Sequence, residues 1–465
     1  MTDDAARDQA VIENGLRPPM VVAGQPVPTR SLDAESARLG VPGVAVAVIE
    51  DGRVAWTKGY GRTGPDGTMI TERTPFQAGS ISKAVAALGV VIAAPALGLS
   101  LDEDVAPIAR GWLPPADPAG RPVTLRGLLS HTAGTTVRGF RGHAAGTPVP
   151  TLRQVIDGAT PADTPPVRIE PAHVGDWHYS GGGYAVVQQL LEDAAGRPFD
   201  ALLRELIFEP LGMADSTFRQ QPPAGAAQPH AADGVPVAGG PYRYPAAAAA
   251  GLWSTAADLG RFVVAVLRAE AGGSGPLDPA PVRELLAEVR PGRALGFDRG
   301  GAARPYVRKS GDTEGFVGLI TGYLGPGDGA VVLTNGGRGR ELIEGLVGSI
   351  ASHRGWPDFG PRIRPSVELD DAQQARLLGS YRYGSDASFT VARGPRTLMI
   401  MSPGEEPEPL PAAAADRLFL PSQNADFVFE LGTDGAPAGT GRIEVSGQEL
   451  PFRRVSGAAP PRPAR

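Results

Sequence analysis

Two residues at the start of a predicted helix have the types and spacing of a nucleophile and its base. Ser80 and Lys83 stand three positions apart, and residues at i and i+3 share one face of a helix, so the lysine amine can approach the serine hydroxyl. Burial in an apolar helix would lower the lysine pKa and let the neutral amine accept the serine proton. The helix N-terminus would stabilise negative charge that develops on a substrate oxygen. The pair predicts a covalent acyl intermediate on Ser80.

Two further elements follow in the order that such a site needs. Tyr179-Ser180 lies in a glycine-rich turn that ends at Tyr184, where a phenol can point into a cleft. Lys309-Ser310-Gly311 closes a predicted strand, where a cation and a small hydroxyl can flank a substrate carbonyl. A Ser-x-x-Lys spacing alone arises often by chance. The three elements in this order match the pattern of serine β-lactamases and penicillin-binding proteins.

Additional motifs extend this likeness over about residues 35 to 355, and on them the chain resembles the class C β-lactamase-like serine hydrolases. That family includes esterases, D-amino-acid peptidases, β-lactamases and transacylases. The motifs are Phe76-Gln-Ala-Gly-Ser-Ile-Ser-Lys83, Leu128-Leu-Ser-His-Thr-Ala-Gly134, Tyr179-Ser180, Pro210-Leu-Gly-Met213, Gly251-Leu-Trp-Ser-Thr255 and Thr334-Asn-Gly336.

The resemblance implies a role for each site residue. Ser80 is expected to be the nucleophile, and Lys83 and Tyr179 to exchange protons with it. Lys309 is expected to bind or polarise the substrate, and the backbone amides of Ser80 and Asp312 to form the oxyanion hole. The residues predicted to contact the substrate or its oxyanion are Ser180, Lys309, Ser310, Gly311 and Asp312.

Two positions depart from the family pattern. Gly181 stands where many members have an asparagine, and glycine offers no side chain to bond a substrate amide. This weakens the expectation of a β-lactam or peptide substrate. Lys309 is the residue found in β-lactamases, whereas many esterase-like relatives have histidine there. The two departures favour different substrates.

The expected reaction is therefore cleavage of a carboxylic ester or small amide through an acyl-enzyme. One alternative is a transacylase or peptide cyclase of natural-product biosynthesis, in which an amine resolves the acyl-enzyme. Its partners would be an amine acyl acceptor or a substrate bound to a carrier protein. A D-stereospecific peptidase or β-lactamase is a second alternative. An inert binding module that keeps the fold is a third, and the intact serine, lysine and tyrosine set argues against it.

Composition excludes several other classes. A net charge of −6 provides no positive stripe for nucleic acid. The chain has no cysteine, which rules out disulfides and thiolate metal sites. Its six histidines show no metal-ligand spacing, so neither a metal nor a cofactor is expected. Gly-x-Ser-x-Gly is absent, which argues against an α/β-hydrolase.

The N-terminus and the apolar runs predict a cytoplasmic protein, the alternative being that the sequence lacks its leader. Residues 1 to 14 carry five charged side chains and no apolar core, so they do not form a secretory signal. The longest apolar run, Ala84 to Leu99, is interrupted by Pro95 and two glycines and is too short for a membrane span. We expect it to be a buried helix.

Strands, a helical block and strands again predict an α+β domain whose antiparallel sheet joins both ends of its sequence. Val44 to Ile49 and Val54 to Tyr60 are expected to form a hairpin through Asp51-Gly52. The predicted organisation is an N-terminal extension (1–34), a β-lactamase-like domain (35–357), a small all-β, lipocalin-like barrel (366–456) and a disordered tail (457–465).

Overall fold

The computed structural model describes residues 3–65, 67–109, 120–384, 387–404, 406–432, 436–445 and 448–455. None of the helices in these ranges is long and apolar enough to cross a membrane. The helices are α1 (Asp3–Glu13), α2 (Leu32–Leu39), α3 (Ile81–Ala96), α4 (Leu125–Leu129), α5 (Leu152–Asp157), α6 (Gly181–Ala195), α7 (Phe199–Leu203), α8 (Glu209–Leu211), α9 (Ala247–Ala250), α10 (Ala256–Glu270), α11 (Pro279–Leu286), α12 (Gly339–Arg354) and α13 (Asp371–Leu377), with a π-helical turn at Arg204–Phe208.

The strands fall into one six-stranded sheet, one nine-stranded sheet and three two-stranded pairs. They are β1 (Met20–Val22), β2 (Gly43–Glu50), β3 (Arg53–Gly61), β4 (Phe76–Gln77), β5 (Ala133–Thr135), β6 (Ile169–Val174), β7 (Trp253–Ser254), β8 (Asp298–Gly300), β9 (Tyr306–Thr313), β10 (Phe316–Tyr323), β11 (Gly329–Thr334), β12 (Arg362–Arg364), β13 (Gly379–Tyr383), β14 (Ala387–Arg393), β15 (Leu398–Met401), β16 (Glu408–Pro409), β17 (Ala412–Ala414), β18 (Arg417–Leu420), β19 (Ala425–Glu430), β20 (Thr440–Val445) and β21 (Gln448–Arg454).

The chain divides into two compact units. The first comprises Met1–Gln9 and Asp33–Ile343, and the second comprises Ala10–Leu32 and Glu344–Arg465. The domain limits expected from composition stay a prediction, and the predicted tail 457–465 lies outside the described residues.

The first unit is built on an antiparallel sheet in the order β3-β2-β11-β10-β9-β8. Its strands come from both ends of the unit's sequence, as predicted. The β2–β3 hairpin turns at Asp51 and Gly52, whose φ angles of 47° and 66° suit the tight turn predicted there. Helix α10 lies against β2, β3, β10 and β11, while α3 contacts β9 and β10. The α+β prediction for this unit is confirmed.

Helix α3 forms the centre of the first unit because its face is apolar almost all round. Nearly all of its residues are buried, including the whole run from Ile81 to Val91. A Cβ on Gly89 would lie 2.4 Å from a Leu203 methyl carbon, so the glycine lets the neighbouring helix approach closely. The helix continues through Pro95 and ends at Ala96.

The glycine-rich segment after Tyr179 is a helix start, where the sequence predicted a turn. Helix α6 begins at Gly181, and Ser180 caps it by accepting a hydrogen bond from the Gly183 amide. The glycines are needed for packing: a Cβ on Gly182 would lie 2.4 Å from the carbonyl oxygen of Thr136. The segment combines a cap with a close backbone approach.

Strand β9 also extends further than predicted. Lys309, Ser310 and Gly311 lie in its middle, because pairing with β10 continues to Thr313. Only the β10 side is paired at this point, since β8 reaches no further than Arg308. The other edge of Lys309-Ser310-Gly311 is therefore free of strand partners.

The second unit contains the predicted small all-β domain. Its nine strands follow one another as an antiparallel meander, and the last strand, β21, pairs with the first, β13. The edge strands β16 and β17 are separated only by Leu410 and Pro411, so the sheet curls back on itself. Its aromatic core contains Tyr381, Phe389, Phe427, Phe429 and Phe452.

The Asp258 side chain connects the first turn of α10 to residues Asp215 and Ser216. Its buried carboxylate accepts hydrogen bonds from the Asp215 amide (2.9 Å), the Ser216 hydroxyl (2.8 Å) and Arg261 (2.7 Å). We expect Asp258→Ala to lower the free energy of unfolding by about 1–3 kcal/mol, because it removes the buried acceptor of three hydrogen bonds. Urea denaturation measures this. The control Asp278→Ala, at an exposed cap position without a side-chain hydrogen bond, should change stability little, and equal effects would contradict the assignment.

Candidate active site

Ser80, Lys83 and Tyr179 meet in a single hydrogen-bonded group. The Ser80 Oγ lies 3.0 Å from the Lys83 Nζ and 2.7 Å from the Tyr179 Oη. Ser80 stands at the N-cap of α3 and Lys83 one turn further on, while Tyr179 directly precedes the capping residue of α6. The serine hydroxyl thus has two partners able to take or return its proton.

Lys83 lies in surroundings that disfavour a positive charge. Its side chain is 2% exposed, and apart from Ser80 it donates a hydrogen bond of 2.6 Å to the carbonyl oxygen of Ala249. Burial lowers the pKa of Lys83 to about 7. The amine is therefore able to act as a base near neutral pH.

Tyr179 is held in place by the residues on either side of it and by a buried histidine. Ser180 has no exposed surface, and its hydroxyl donates to the carbonyl oxygen of Thr136 at 2.6 Å. The Ser180 amide donates to the Nδ1 of His131 at 3.1 Å, and the histidine ring lies 4.4 Å from the Tyr179 ring. Burial and nearby cations keep the pKa of His131 well below its usual value, so the ring is neutral.

Ser180 therefore does not line the cleft, although the sequence placed it among the substrate residues. Its hydroxyl is used entirely inside the fold, as an acceptor for α6 and a donor to the Thr136 carbonyl. Its contribution to the site is to fix the direction of Tyr179. A short polar side chain at a helix N-cap commonly has this use.

The free edge of β9 packs directly on the backbone beside Ser80. A Cβ on Gly311 would lie 1.9 Å from the Ala78 oxygen and 2.7 Å from the Ser80 nitrogen. A Cβ on Gly79 would lie 2.6 Å from the Asp312 nitrogen. Both glycines are required by this contact, which places the two predicted oxyanion-hole amides beside one another.

Ser80, Lys83 and Tyr179 line a cleft of 480 Å³. Lys309 lies in its wall, buried, with Nζ 5.3 Å from the centre of the Tyr179 ring, and burial lowers its pKa. The full lining comprises Ser80, Lys83, Arg138, Gly139, Phe140, Trp177, Tyr179, Ala249, Ala250, Arg293, Asp298, Lys309, Ser310, Asp312 and Arg340.

Positive side chains outnumber negative ones in this cleft. Asp298 is paired with Arg293, and Asp312 is paired with Arg340 at 2.7 Å. Within the described ranges, Arg138 has no anionic partner, and its exposed guanidinium lies 5.5 Å from the Tyr179 ring. Lys309 likewise has no carboxylate at ion-pair distance in the part of the chain that is described. The cleft is electrostatically suited to an anionic group.

The segment Arg138-Gly-Phe140 was not singled out from the sequence, yet it fills the place next to Gly181. A Cβ on Gly181 would lie 3.0 Å from the Phe140 ring and 3.3 Å from the Arg138 carbonyl oxygen. A side chain at this position would therefore be crowded, and the segment would have to shift by a few tenths of an ångström to admit its Cβ. Glycine at position 181 thus leaves room for Arg138 and Phe140, which lie where a side chain of residue 181 would begin. No periodicity or motif marks these residues, because the loop reaches the cleft only through tertiary packing.

The fold and the site together define a protein of the β-lactamase and transpeptidase type. A family model described as Beta-lactamase matches residues 29–367, and the chain belongs to that family. The chain is 30% identical to penicillin-binding protein 4 of Amycolatopsis lactamdurans over 187 residues. This match covers 40% of this chain and 46% of the relative. The matches to three curated relatives each span less than half of the relative's length.

Solved structures share the fold at low sequence identity. An octameric penicillin-binding protein homologue from Pyrococcus abyssi superimposes with a TM-score of 0.60 at 19% identity, covering 91% of this chain and 98% of that one. D-amino acid amidase from Ochrobactrum anthropi gives a TM-score of 0.56 at 22% identity, covering 70% of this chain and 97% of that one. The predicted resemblance to β-lactamase-like serine hydrolases is confirmed at the level of family and fold.

The lowered pKa of Lys83 predicts a pH profile. If the neutral amine is the base, kcat/KM for an uncharged ester should rise as the pH passes through about 7 and level off above it. In Lys83→Arg the guanidinium stays charged, and this rise should disappear. The control Lys58→Arg should keep the profile of the parent. A rise centred near the ordinary lysine value of 10.5 would contradict the assignment.

Proposed function

We propose that the chain is a serine hydrolase that cleaves a small amide or carboxylic ester through an acyl-enzyme on Ser80. The observation that carries the proposal is the Ser80 hydroxyl bonded at once to Lys83 Nζ (3.0 Å) and Tyr179 Oη (2.7 Å) at the N-terminus of a buried helix. A serine with one lysine and one tyrosine partner can lose its proton to one group while the other supplies a proton to the leaving group.

The proposed acylation begins with attack of the Ser80 Oγ on the substrate carbonyl carbon as its proton passes to the neutral amine of Lys83. The carbonyl oxygen takes up the negative charge beside the amides of Ser80 and Asp312. The amide of Ser80 suits this use, because among the described residues it donates to no protein group. The tetrahedral intermediate then expels the amine or alcohol, which receives a proton through Tyr179 or Lys83.

Deacylation repeats these steps with water as the nucleophile. Lys83 and Tyr179 take a proton from the water while its oxygen attacks the acyl carbon, and Ser80 regains its own proton as the ester bond breaks. An amine in place of water would give a transacylase. The name of the D-amino acid amidase among the structural neighbours supports amide cleavage followed by hydrolysis.

The charge of the cleft supports a substrate that carries a carboxylate. The Arg138 guanidinium and the Lys309 amine lie 5.5 Å and 5.3 Å from the centre of the Tyr179 ring, and within the described ranges neither has a protein anion to neutralise it. Arginine is well suited to a carboxylate because its planar group can donate two parallel hydrogen bonds. We therefore propose an anionic group near the scissile bond, held by Arg138 at the mouth of the cleft.

The nucleophile is tested by covalent labelling. After exposure to a fluorophosphonate, intact mass should show one adduct on the parent and on the control Ser274→Ala, and none on Ser80→Ala, because the Ser80 hydroxyl lies 3.0 Å from the Lys83 amine that would activate it. An adduct that persists in Ser80→Ala would place the nucleophile elsewhere. A parent protein without an adduct would favour an inert binding module. Product analysis with added amines then separates hydrolysis, in which the free acid persists, from acyl transfer to the amine.

The carboxylate proposal is tested with Arg138→Ala. For a substrate with a free carboxylate near the scissile bond we expect KM to rise about tenfold, which corresponds to roughly 1.4 kcal/mol of binding. The methyl ester of the same substrate should show no such change. Arg141→Ala, three residues away and also exposed, is the matched control. Equal effects of Arg138→Ala on the acid and on its ester would contradict carboxylate recognition.

A further inference from the structure

Three side chains with metal-binding atoms lie together outside the catalytic group. Glu170 and His173 are on β6, and His178 follows the turn after that strand. One ligand atom from each of the three residues lies within 4.8 Å of the others. The His173 Nε2 is 3.2 Å from a Glu170 carboxylate oxygen, and the two imidazole rings are stacked with centroids 4.2 Å apart.

The sequence analysis predicts no metal site, because the spacing of these three residues matches no familiar metal motif. The fold creates it: β6 ends at Val174, and Gly175, with φ of +91°, turns the chain so that His178 returns beside His173. Glycine is favoured at this φ because a side chain would be strained there. The chain reversal brings together residues that are up to eight positions apart.

The backbone around these residues is pinned on both sides. The Gly175 amide donates to the Thr132 carbonyl at 2.8 Å, and the His178 amide donates to the His131 carbonyl at 2.8 Å. Arg121 donates from the other side to the carbonyl oxygens of Pro171 and Val174. The backbone positions of the two histidines are therefore set before any ligand arrives, so binding needs mainly side-chain rotations.

We propose that Glu170, His173 and His178 bind one transition-metal ion of the zinc class. Two imidazole nitrogens and a carboxylate oxygen form a ligand set that suits Zn²⁺ and does not suit the hard ions Mg²⁺ and Ca²⁺. The histidines are half-buried and Glu170 is exposed, so water can fill the fourth position. A bound ion would replace the histidine–carboxylate contact with direct bonds to all three groups.

The ion would act on the segment that carries the catalytic tyrosine. His178 immediately precedes Tyr179, and Trp177 lies 6.2 Å from the Tyr179 ring. Tying His178 to β6 would restrict this segment from the side opposite Ser180, which is already fixed by His131. The site is a positioning and stabilising device, and it takes no part in the bond changes at Ser80.

The proposal is tested by Zn²⁺ titration of metal-free, untagged full-length protein, followed by calorimetry. We expect one saturable Zn²⁺ per chain, a change in tryptophan fluorescence, a higher Tm with Zn²⁺, and no displacement by excess Mg²⁺. His173→Ala and Glu170→Gln should each weaken Zn²⁺ binding by at least about tenfold. Loss of a residue that only supports a metal ligand already costs about tenfold in affinity, and loss of a ligand should cost no less. The matched control His143→Ala, in a separate loop, should bind as the parent does.

Labelling of the metal-free proteins distinguishes a folding defect from the loss of a metal ligand. Metal-free His173→Ala should take up the fluorophosphonate label at the rate of the metal-free parent, since its side chain does not touch the catalytic group. Absence of saturable Zn²⁺ binding to the parent, or equal binding by the parent, His173→Ala and Glu170→Gln, would overturn the proposal. Neither outcome would bear on the nucleophile, which is tested by labelling of Ser80.

Discussion

Burial of the Lys83 amine is the constraint on which the rest of the site depends. Lowering its pKa from 10.5 to about 7 corresponds to about 5 kcal/mol against the charged form. That energy opposes folding most strongly at and below pH 7, and the opposition falls as the pH rises toward 10.5, where the unfolded lysine also loses its proton. The large apolar core around α3 offsets this cost. In return, the fold holds an amine that is ready to accept a proton beside the serine.

A second constraint is the contact between two stretches of backbone. The edge of β9 reaches Ser80 only because Gly79 and Gly311 have no side chains, and a Cβ on Gly311 would fall 1.9 Å from a carbonyl oxygen. This contact brings Lys309 and Asp312 close to Ser80 without a dedicated loop. The same principle recurs at α6, where glycines let the helix start lie against the Thr136 carbonyl. Close backbone approach thus positions Tyr179 and the edge of β9, whereas Lys83 is placed by its position one turn after Ser80 on α3.

Much of the fold and the centre of the site could be predicted from local signals. The Asp51-Gly52 hairpin and the apolar helix after Ser80 each have short-range patterns that the structure reproduces. The order of the three motifs marked Ser80, Lys83 and Tyr179, which the structure brings together. Ser180 was given a substrate role because sequence shows a hydroxyl and not its direction. The positions of Arg138 and Phe140 in the cleft depend on long-range packing, and the Glu170–His173–His178 group depends on a chain reversal. No local sequence pattern therefore predicts either feature.

The central claim is that Lys83 is neutral near physiological pH because it is buried in the folded protein. The most direct test is NMR titration of the lysine side-chain nitrogens, with Lys83→Arg used to assign the signal. The chain has only three lysines, so the spectrum is simple. A signal assigned to Lys83 that titrates with a midpoint of about 7, and returns to the ordinary lysine range on unfolding, is the predicted result. A midpoint near 10.5 in the folded protein would contradict the account.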